Sequence, residues 1–268
     1  LAFLAAGLSL KLALFPLHVW LPNAYAYAPS WVTVFLAATA TKVAVYLLVR
    51  YLFMVFRTVV DIRALPVDEL IVGLSVAAMF VASFAAVFET NVKRMLAYSS
   101  VAQVGYITLG IGLANQAGLT GGLAHLANHA AMKAALFLAI GAVFFRAVPV
   151  KLAEMAGLGR RMPVTMAAFT VAGLGLVGTP GTAGFVSKWY LAVGALDRGW
   201  WLLAFLIVAT SLIAMVYIGK VLEVVWLREP ASASVEASDP PLGMMLPILA
   251  MAGATVWFGL DTTWTVGL

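Results

Sequence analysis

The chain has 268 residues, of which 64% are hydrophobic and 10% charged, with a net charge of +5 and no cysteine. Soluble domains carry about 25% charged residues, and a chain of this size cannot hide so much apolar surface from water. A soluble enzyme, a nucleic-acid-binding domain, a disordered chain and any cysteine-held disulfide, zinc or iron–sulfur site are therefore excluded, which leaves a multi-span helical membrane protein.

A spanning helix needs about 20 mostly apolar residues. The first apolar run covers residues 1–15 and stops at Pro16. It has no methionine and no charged leader, so it reads as part of a longer chain and not as a signal peptide. A proline-punctuated aromatic stretch follows at 17–29. Further spans are predicted at 31–56, 70–88, 94–114 and 119–145. The next run, 163–196, is too long for one straight helix and is interrupted in its middle. The last two spans are 200–227 and 241–260, which makes eight with the first. The apolar runs are continuous, whereas a membrane barrel alternates over about 10 residues. The segment REPASASVEASD (228–239) reads as a flexible loop. Alternate loops hold Lys93, Arg94, Arg146, Lys151, Arg160, Arg161 and Arg228 on one side and Arg57, Arg63 and Arg198 on the other. The first set is predicted to be cytoplasmic.

The ionisable residues within spans carry the functional information, because each costs several kcal/mol at mid-membrane. They are Lys11, Lys42, His125, His129, Lys133, Lys188 and Lys220, all basic, whereas acids such as Asp61, Asp68, Glu89, Glu154 and Asp261 sit near helix ends or in loops. A lysine near a helix end snorkels to the interface, a reading as good as a functional one for Lys220. Lys42 and Lys133 are near the centres of their spans, where snorkelling is harder. A buried lysine poised between desolvation and a neighbouring charge can take or release a proton.

In HLANHAAMK, His125, His129 and Lys133 recur at i, i+4 and form one helical stripe about 12 Å long. Two packing histidines are one reading. Zinc held by HxxxH is another, but no Cys, Asp or Glu is close in sequence and a lysine follows. A proton wire is the preferred reading. In GLGLVGTPGTAGFVSKWYL, Gly178, Pro180, Gly181 and Gly184 are expected to break the helix just before Lys188. Such a break at membrane depth is tolerated where it lines a polar cavity. Lys11 before Phe15-Pro16 is a second lysine beside a break. A phosphate-loop reading of GTPGTAG lacks a preceding strand. Ser99, Ser100 and Gln103 in NVKRMLAYSSVAQVG suit either helix packing or a water path.

Four segments together carry a resemblance: KLALFPLHVWLPNAYAYAPSWVTVFLAATATKVAVY, NVKRMLAYSSVAQVGY, GGLAHLANHAAMKAALFLAIGAV and GTPGTAGFVSKW. They resemble the antiporter-like subunit family, which contains the proton-pumping membrane subunits of respiratory complex I, the large subunits of Mrp-type cation/proton antiporters and membrane subunits of related hydrogenases. The resemblance implies an all-α polytopic fold with discontinuous helices, cut from a bundle of two inverted five-helix repeats and matching its second half. It divides the chain into the end of the first repeat (1–60), the second repeat (61–228) and a polar loop with a C-terminal helix (229–268).

The resemblance also assigns roles. Lys11 matches the lysine of the first broken helix and Lys42 the bridging lysine after it. His125, His129 and Lys133 match the central relay, and Lys188 the ionisable residue of the second break, which is a glutamate in some pumping subunits. Lys220 is a weaker match. Asn23 stands where relatives often have Asp, and the family's glutamate partner for Lys11 is not in this sequence. LPNAYAYAPS and FLAATATKVAVY look most like the D-type large subunit of Mrp antiporters, with the N-type subunit of complex I next. The expectation is a proton-translocating subunit of a multisubunit monovalent cation/proton antiporter in the inner (plasma) membrane. Its partners would be other membrane subunits, lipid, protons, and Na+ or K+. No cofactor or nucleic acid is expected, and the chain holds no catalytic chemistry of its own. A subunit of a complex I-like NADH-quinone oxidoreductase or hydrogenase is the alternative, and a metalloenzyme using His125 and His129 is the alternative of another class. Mid-span carboxylates are absent, which favours protons over direct sodium coordination.

Overall fold

The computed structural model describes residues 2–51, 54, 67–146, 148–230 and 237–267. Arg57, Asp61, Arg63 and residues 231–236 of the predicted polar loop lie outside the described residues. Helix α1 (Ala2–Leu12) has 11 residues. The helix of the predicted first span thus ends at Leu12, before Pro16. The chain turns through Ala13 at φ 58° and re-forms as α2 (Trp20–Tyr27). The proline-punctuated stretch therefore contains a helix, because Pro22 falls in its first turn, where a missing N–H breaks no helical bond.

Helix α3 (Ser30–Arg50) starts after Pro29 and contains a π-helical turn at Leu36–Ala40. The Thr33 hydroxyl donates to the Tyr25 carbonyl at 3.1 Å and ties α3 to α2. Helices α4 (Val67–Phe88), α5 (Val92–Gly112) and α6 (Gln116–Phe145) follow, each within a few residues of its predicted span. Asn91 and Asn115 set the starts of α5 and α6, their side chains accepting from the backbone N–H groups of Arg94 at 3.1 Å and Gly118 at 2.8 Å. The long sixth run divides into α7 (Pro163–Val177) and α8 (Ala183–Asp197). Helices α9 (Trp201–Leu227) and α10 (Leu242–Leu260) complete the bundle.

The break between α7 and α8 differs in one respect from the prediction. Gly178 (φ 90°) and Gly181 (φ 84°) adopt left-handed backbone around Pro180, but Gly184 lies inside the first turn of α8. Its role is close approach: a Cβ there would run into the Gly175 carbonyl of α7. The same small-residue logic joins α5 to α6, where Gly110 meets the backbone of Gly118 and Gly122.

Helix α5 is enclosed on nearly every side, with α4, α6, α8 and α9 around it. That is why it can hold Ser99, Ser100, Gln103 and Thr108. The outer helices expose Trp31, Phe35, Phe84, Phe88, Trp201, Phe205, Leu246 and Trp257, as lipid-facing surfaces do. By length and composition, Ser30–Arg50 and α4, α6, α9 and α10 are each able to cross a membrane.

The loops holding Lys93, Arg94, Arg146, Lys151 and Arg228 meet at one end of the bundle. Val92 N–H donates to the Val150 carbonyl, Leu152 N–H to Thr90, and Gly157 N–H to Val224. The Arg146 guanidinium donates to the Ser238 and Asp239 carbonyls at 3.0 and 2.6 Å. Arg198 reaches the Gly112 carbonyl at the other end. Asp239 caps α7 from this distant loop, its carboxylate accepting from the Val164 N–H at 3.2 Å, the Thr165 N–H at 3.0 Å and the Thr165 hydroxyl at 2.7 Å. Asp239→Ala should cost about 1–2 kcal/mol, the usual loss of a helix cap. Thermal unfolding of the detergent-solubilised protein reads it, and an unchanged midpoint refutes the cap.

Candidate functional site

The polar side chains of the membrane interior converge on α5 and α6. The i, i+4 spacing of His125, His129 and Lys133 aims all three inward, and each is fully buried. The facing side of α5 presents Ser99, Gln103 and Tyr106 at i, i+4 and i+7, one helical stripe against the other. The Lys133 Nζ donates to the Leu96 carbonyl at 2.6 Å and to the Ser99 hydroxyl at 2.5 Å. The His125 ring is held at both nitrogens, Nδ1 against Ser187 Oγ at 2.7 Å and Nε2 against Gln103 Oε1 at 2.8 Å. The His129 ring stacks parallel to it at 6.1 Å between centroids. Neither ring nitrogen of His129 has a hydrogen-bond partner among the described residues.

The row continues across Tyr106 to the broken helix. Its ring lies 5.5 Å from that of His125 and 4.5 Å from the Lys188 Nζ. The Tyr106 hydroxyl bonds Thr210 Oγ1 at 2.6 Å. Lys188 donates to the Leu176 and Val177 carbonyls at 3.0 and 2.9 Å and to Ser211 Oγ at 3.1 Å. Those carbonyls belong to the last turn of α7, where a helix has no further N–H groups to offer. Its C-terminal dipole adds partial negative charge.

Lys42 stands partly buried on α3 just beyond the π turn. Its Nζ donates to the Ala37 carbonyl within that turn. It lies within electrostatic reach of His125, His129 and Lys133. The π turn was not legible in the sequence, and π turns frequently mark functional sites.

The structure thus brings together Lys42, Lys133, His129, His125 and Lys188. Lys11 is not part of the row: it sits on the exposed side of the last turn of α1. Lys220 is also apart, half-buried, its Nζ donating to the Val87 carbonyl at the end of α4. Asn23 is exposed on α2. Among the break residues, Gly178 touches the site, since a Cβ there would stand 3.0 Å from the Lys188 Cδ. The described ion pairs, Arg94–Glu89 and Arg228–Glu223, lie at helix ends. Among the described residues no carboxylate pairs with a lysine of the row, and no group of three His, Cys, Asp or Glu gathers that could hold a metal ion.

Sequence reasoning did not single out Tyr106, Ser187, Ser211 or Tyr217. The Tyr217 hydroxyl is buried beside Ser99 and Gln103 without a direct hydrogen bond to either. Only Tyr106 had a readable signal, as the third member of the Ser99–Gln103 stripe. The others are set by which helices meet.

Comparison with known proteins places this geometry. The family described as "NADH:quinone oxidoreductase/Mrp antiporter, TM" matches residues 1–214. The NADH-quinone oxidoreductase subunit N of Desulforudis audaxviator is 38% identical, over 97% of this chain and 54% of that protein. Among solved structures, the Mrp complex of Dietzia sp. DQ12-45-1b contains a chain with TM-score 0.87 and 30% identity, covering 97% of this chain and 55% of that one. A chain of the membrane-bound sulfane sulfur reductase, an archaeal respiratory membrane complex, gives TM-score 0.86 and 31% identity, covering 97% and 52%. The chain therefore spans about half the length of the relatives it matches. It is a multi-pass chain of the inner (plasma) membrane. A match over most of its residues, with the same helices in the same arrangement, means that the chain belongs to the NADH:quinone oxidoreductase/Mrp antiporter transmembrane family.

Proposed function

We propose that this chain forms a proton-translocating half of an antiporter-like membrane subunit, which moves protons by way of Lys42, Lys133, His129, His125 and Lys188. One observation carries the reading: four fully or nearly buried basic groups, Lys133, His129, His125 and Lys188, lie among Ser99, Gln103, Tyr106 and Ser187, with the partly buried Lys42 on the adjoining α3. Lysine and histidine both gain and lose protons, and hydroxyl and amide groups order the steps between them. Carbonyl dipoles take the place of carboxylate partners. A metal site at His125 is disfavoured, because both its nitrogens are already engaged.

Lys11 would act at the boundary with a further part of the subunit, and Lys220 at the α4 end. Residues 1–60, 61–228 and 229–268 would serve as the end of one repeat, the second repeat and an appended helix. Other membrane subunits would be the partners. The assembly would be either an Mrp-type antiporter, with this chain akin to its D-type large subunit, or a complex I-like enzyme, with this chain akin to its N-type subunit. The subunit N relative supports the second and the Mrp structure supports the first. Co-purification with flavin and iron–sulfur subunits selects the enzyme; purification with small membrane subunits alone selects the antiporter.

The proton reading is tested in vesicles containing the full assembly. Lys133→Ala should reduce proton flux, followed with a pH-sensitive dye, by at least tenfold. Flux equal to that of the unaltered assembly overturns the relay.

A further inference from the structure

The end of the broken helix has a feature that a proton relay does not require. Three oxygens and an aromatic face surround a single nitrogen. The Leu176 and Val177 carbonyls, Ser211 Oγ and the Tyr106 ring converge on the Lys188 Nζ, at 3.0, 2.9, 3.1 and 4.5 Å. Lys188 is 6% exposed, and Tyr106 is fully enclosed. A relay lysine needs one partner on each side. This one has a closed shell.

The shell is built for a cation of a certain size and charge. The carbonyls are the unpaired groups of the last turn of α7, so they sit at the negative end of a helix dipole. Elsewhere in membranes, carbonyl rings and half-helix C-termini hold alkali cations. The Tyr106 face adds a cation–π wall. An ammonium has three N–H donors, one for each oxygen. The oxygens stand 2.9–3.1 Å away, the ordinary length of an N–H···O hydrogen bond, and Ca2+ or Mg2+ would need them drawn in to about 2.3–2.6 or 2.0–2.1 Å. The ligands are also neutral, which disfavours divalent ions further. A large, weakly hydrated monovalent ion matches the spacing that an ammonium sets.

We infer that the end of α7, Ser211 of α9 and the Tyr106 ring form a cage for a potassium-sized monovalent cation, whose tethered occupant is the Lys188 amino group and whose alternative occupant is a free cation. The two exclude one another, because they use the same oxygens. Gly178 makes the exchange feasible: without a Cβ it leaves the lysine stem a slot beside the backbone. Departure toward Ser187 and His125, on the other side of Tyr106, would vacate the cage as the lysine meets the proton row. This names the exchanged ion of the proposed antiport and rests on that reading only for its physiological use. Cation binding itself is measured without proton flux, so either reading can fail alone.

The test uses the purified full assembly and 86Rb+ as the probe. Lys188→Ala leaves every cage oxygen in place. It should bind 86Rb+ saturably, at least tenfold more tightly than the unaltered assembly. Unlabelled K+ should compete, and Na+ should compete at least tenfold less well. Adding Ser211→Ala should weaken binding at least fivefold. If Lys188→Ala does not assemble in ordinary buffer, extraction in KCl against N-methylglucamine chloride gives the same information: recovery restored by K+ supports the cage. The cage is overturned by no 86Rb+ binding in Lys188→Ala, by binding indifferent to Ser211→Ala, or by collapse in both salts.

Discussion

His129→Leu is expected to raise the thermal stability of the assembly while reducing proton flux by at least a hundredfold. The ring is fully buried and neither nitrogen has a hydrogen-bond partner among the described residues. A buried polar group in that condition costs about 1–3 kcal/mol, and an apolar group of similar shape removes the cost. For a chain of this size that is about 2–6 °C in the unfolding midpoint. His125→Leu should do the reverse. Its ring is bonded to Ser187 and Gln103, so leucine would strand two buried groups and lower the midpoint. The contrast separates function from packing, since a histidine retained for structure does not improve the fold when removed. Paired unfolding scans and vesicle flux on both variants decide it. A destabilised His129→Leu assembly with undiminished flux would eliminate His129 from the row.

The same contrast shows what could be read in advance. His125, His129 and Lys133 were legible as one inward stripe because four residues is close to one helical turn. Their partners were not: Gln103 is 22 residues from His125 and Ser187 is 62, and no local rule joins such positions. The break after Val177 was legible because proline and glycine disfavour helix. Gly184 falls outside it, because glycine serves two ends, left-handed backbone and close approach, and composition does not distinguish them. Lys11 and Lys42 look alike in sequence, each a lysine in an apolar run. Only the packing of α3 against α6 draws Lys42 into the row and leaves Lys11 on the outside.

The lysines of the row share a second property. Lys42, Lys133 and Lys188 each donate to a main-chain carbonyl, from Ala37, Leu96 and Val177 respectively. Two of these carbonyls lie where the helix is irregular, in the π turn and at the end of α7. An irregular turn leaves oxygens without their usual N–H donors, and a buried amino group needs acceptors. Lysine and helix irregularity therefore stabilise one another. A carbonyl dipole is a weaker counter-charge than a carboxylate, so it holds the lysine without fixing its charge, as a proton carrier requires.

That dependence on backbone position makes Gly184→Ala the most damaging small substitution expected in this chain. The first turn of α8 touches the last turn of α7 backbone to backbone: a Cβ on Gly184 would overlap the Gly175 carbonyl, and it would come within 3.5 Å of the Gly178 Cα. The obstacle is main chain, so no side chain can rotate out of the way. The half-helices must separate, and the Leu176 and Val177 carbonyls move with α7, away from the Lys188 Nζ. Overpacking typically costs about 1–3 kcal/mol. Here lost hydrogen bonds to a buried amino group add to it, so about 3 kcal/mol or more is expected. Gly181→Ala is the informative control: a Cβ there meets nothing within 4 Å, but the residue is at φ 84°, so only backbone strain of about 1–2 kcal/mol applies. Unfolding midpoints should therefore fall much further for Gly184→Ala than for Gly181→Ala, and proton flux should be lost in the first and largely kept in the second. The opposite ranking would mean that glycine is needed here for its left-handed backbone alone, and that the contact between α7 and α8 does not position Lys188.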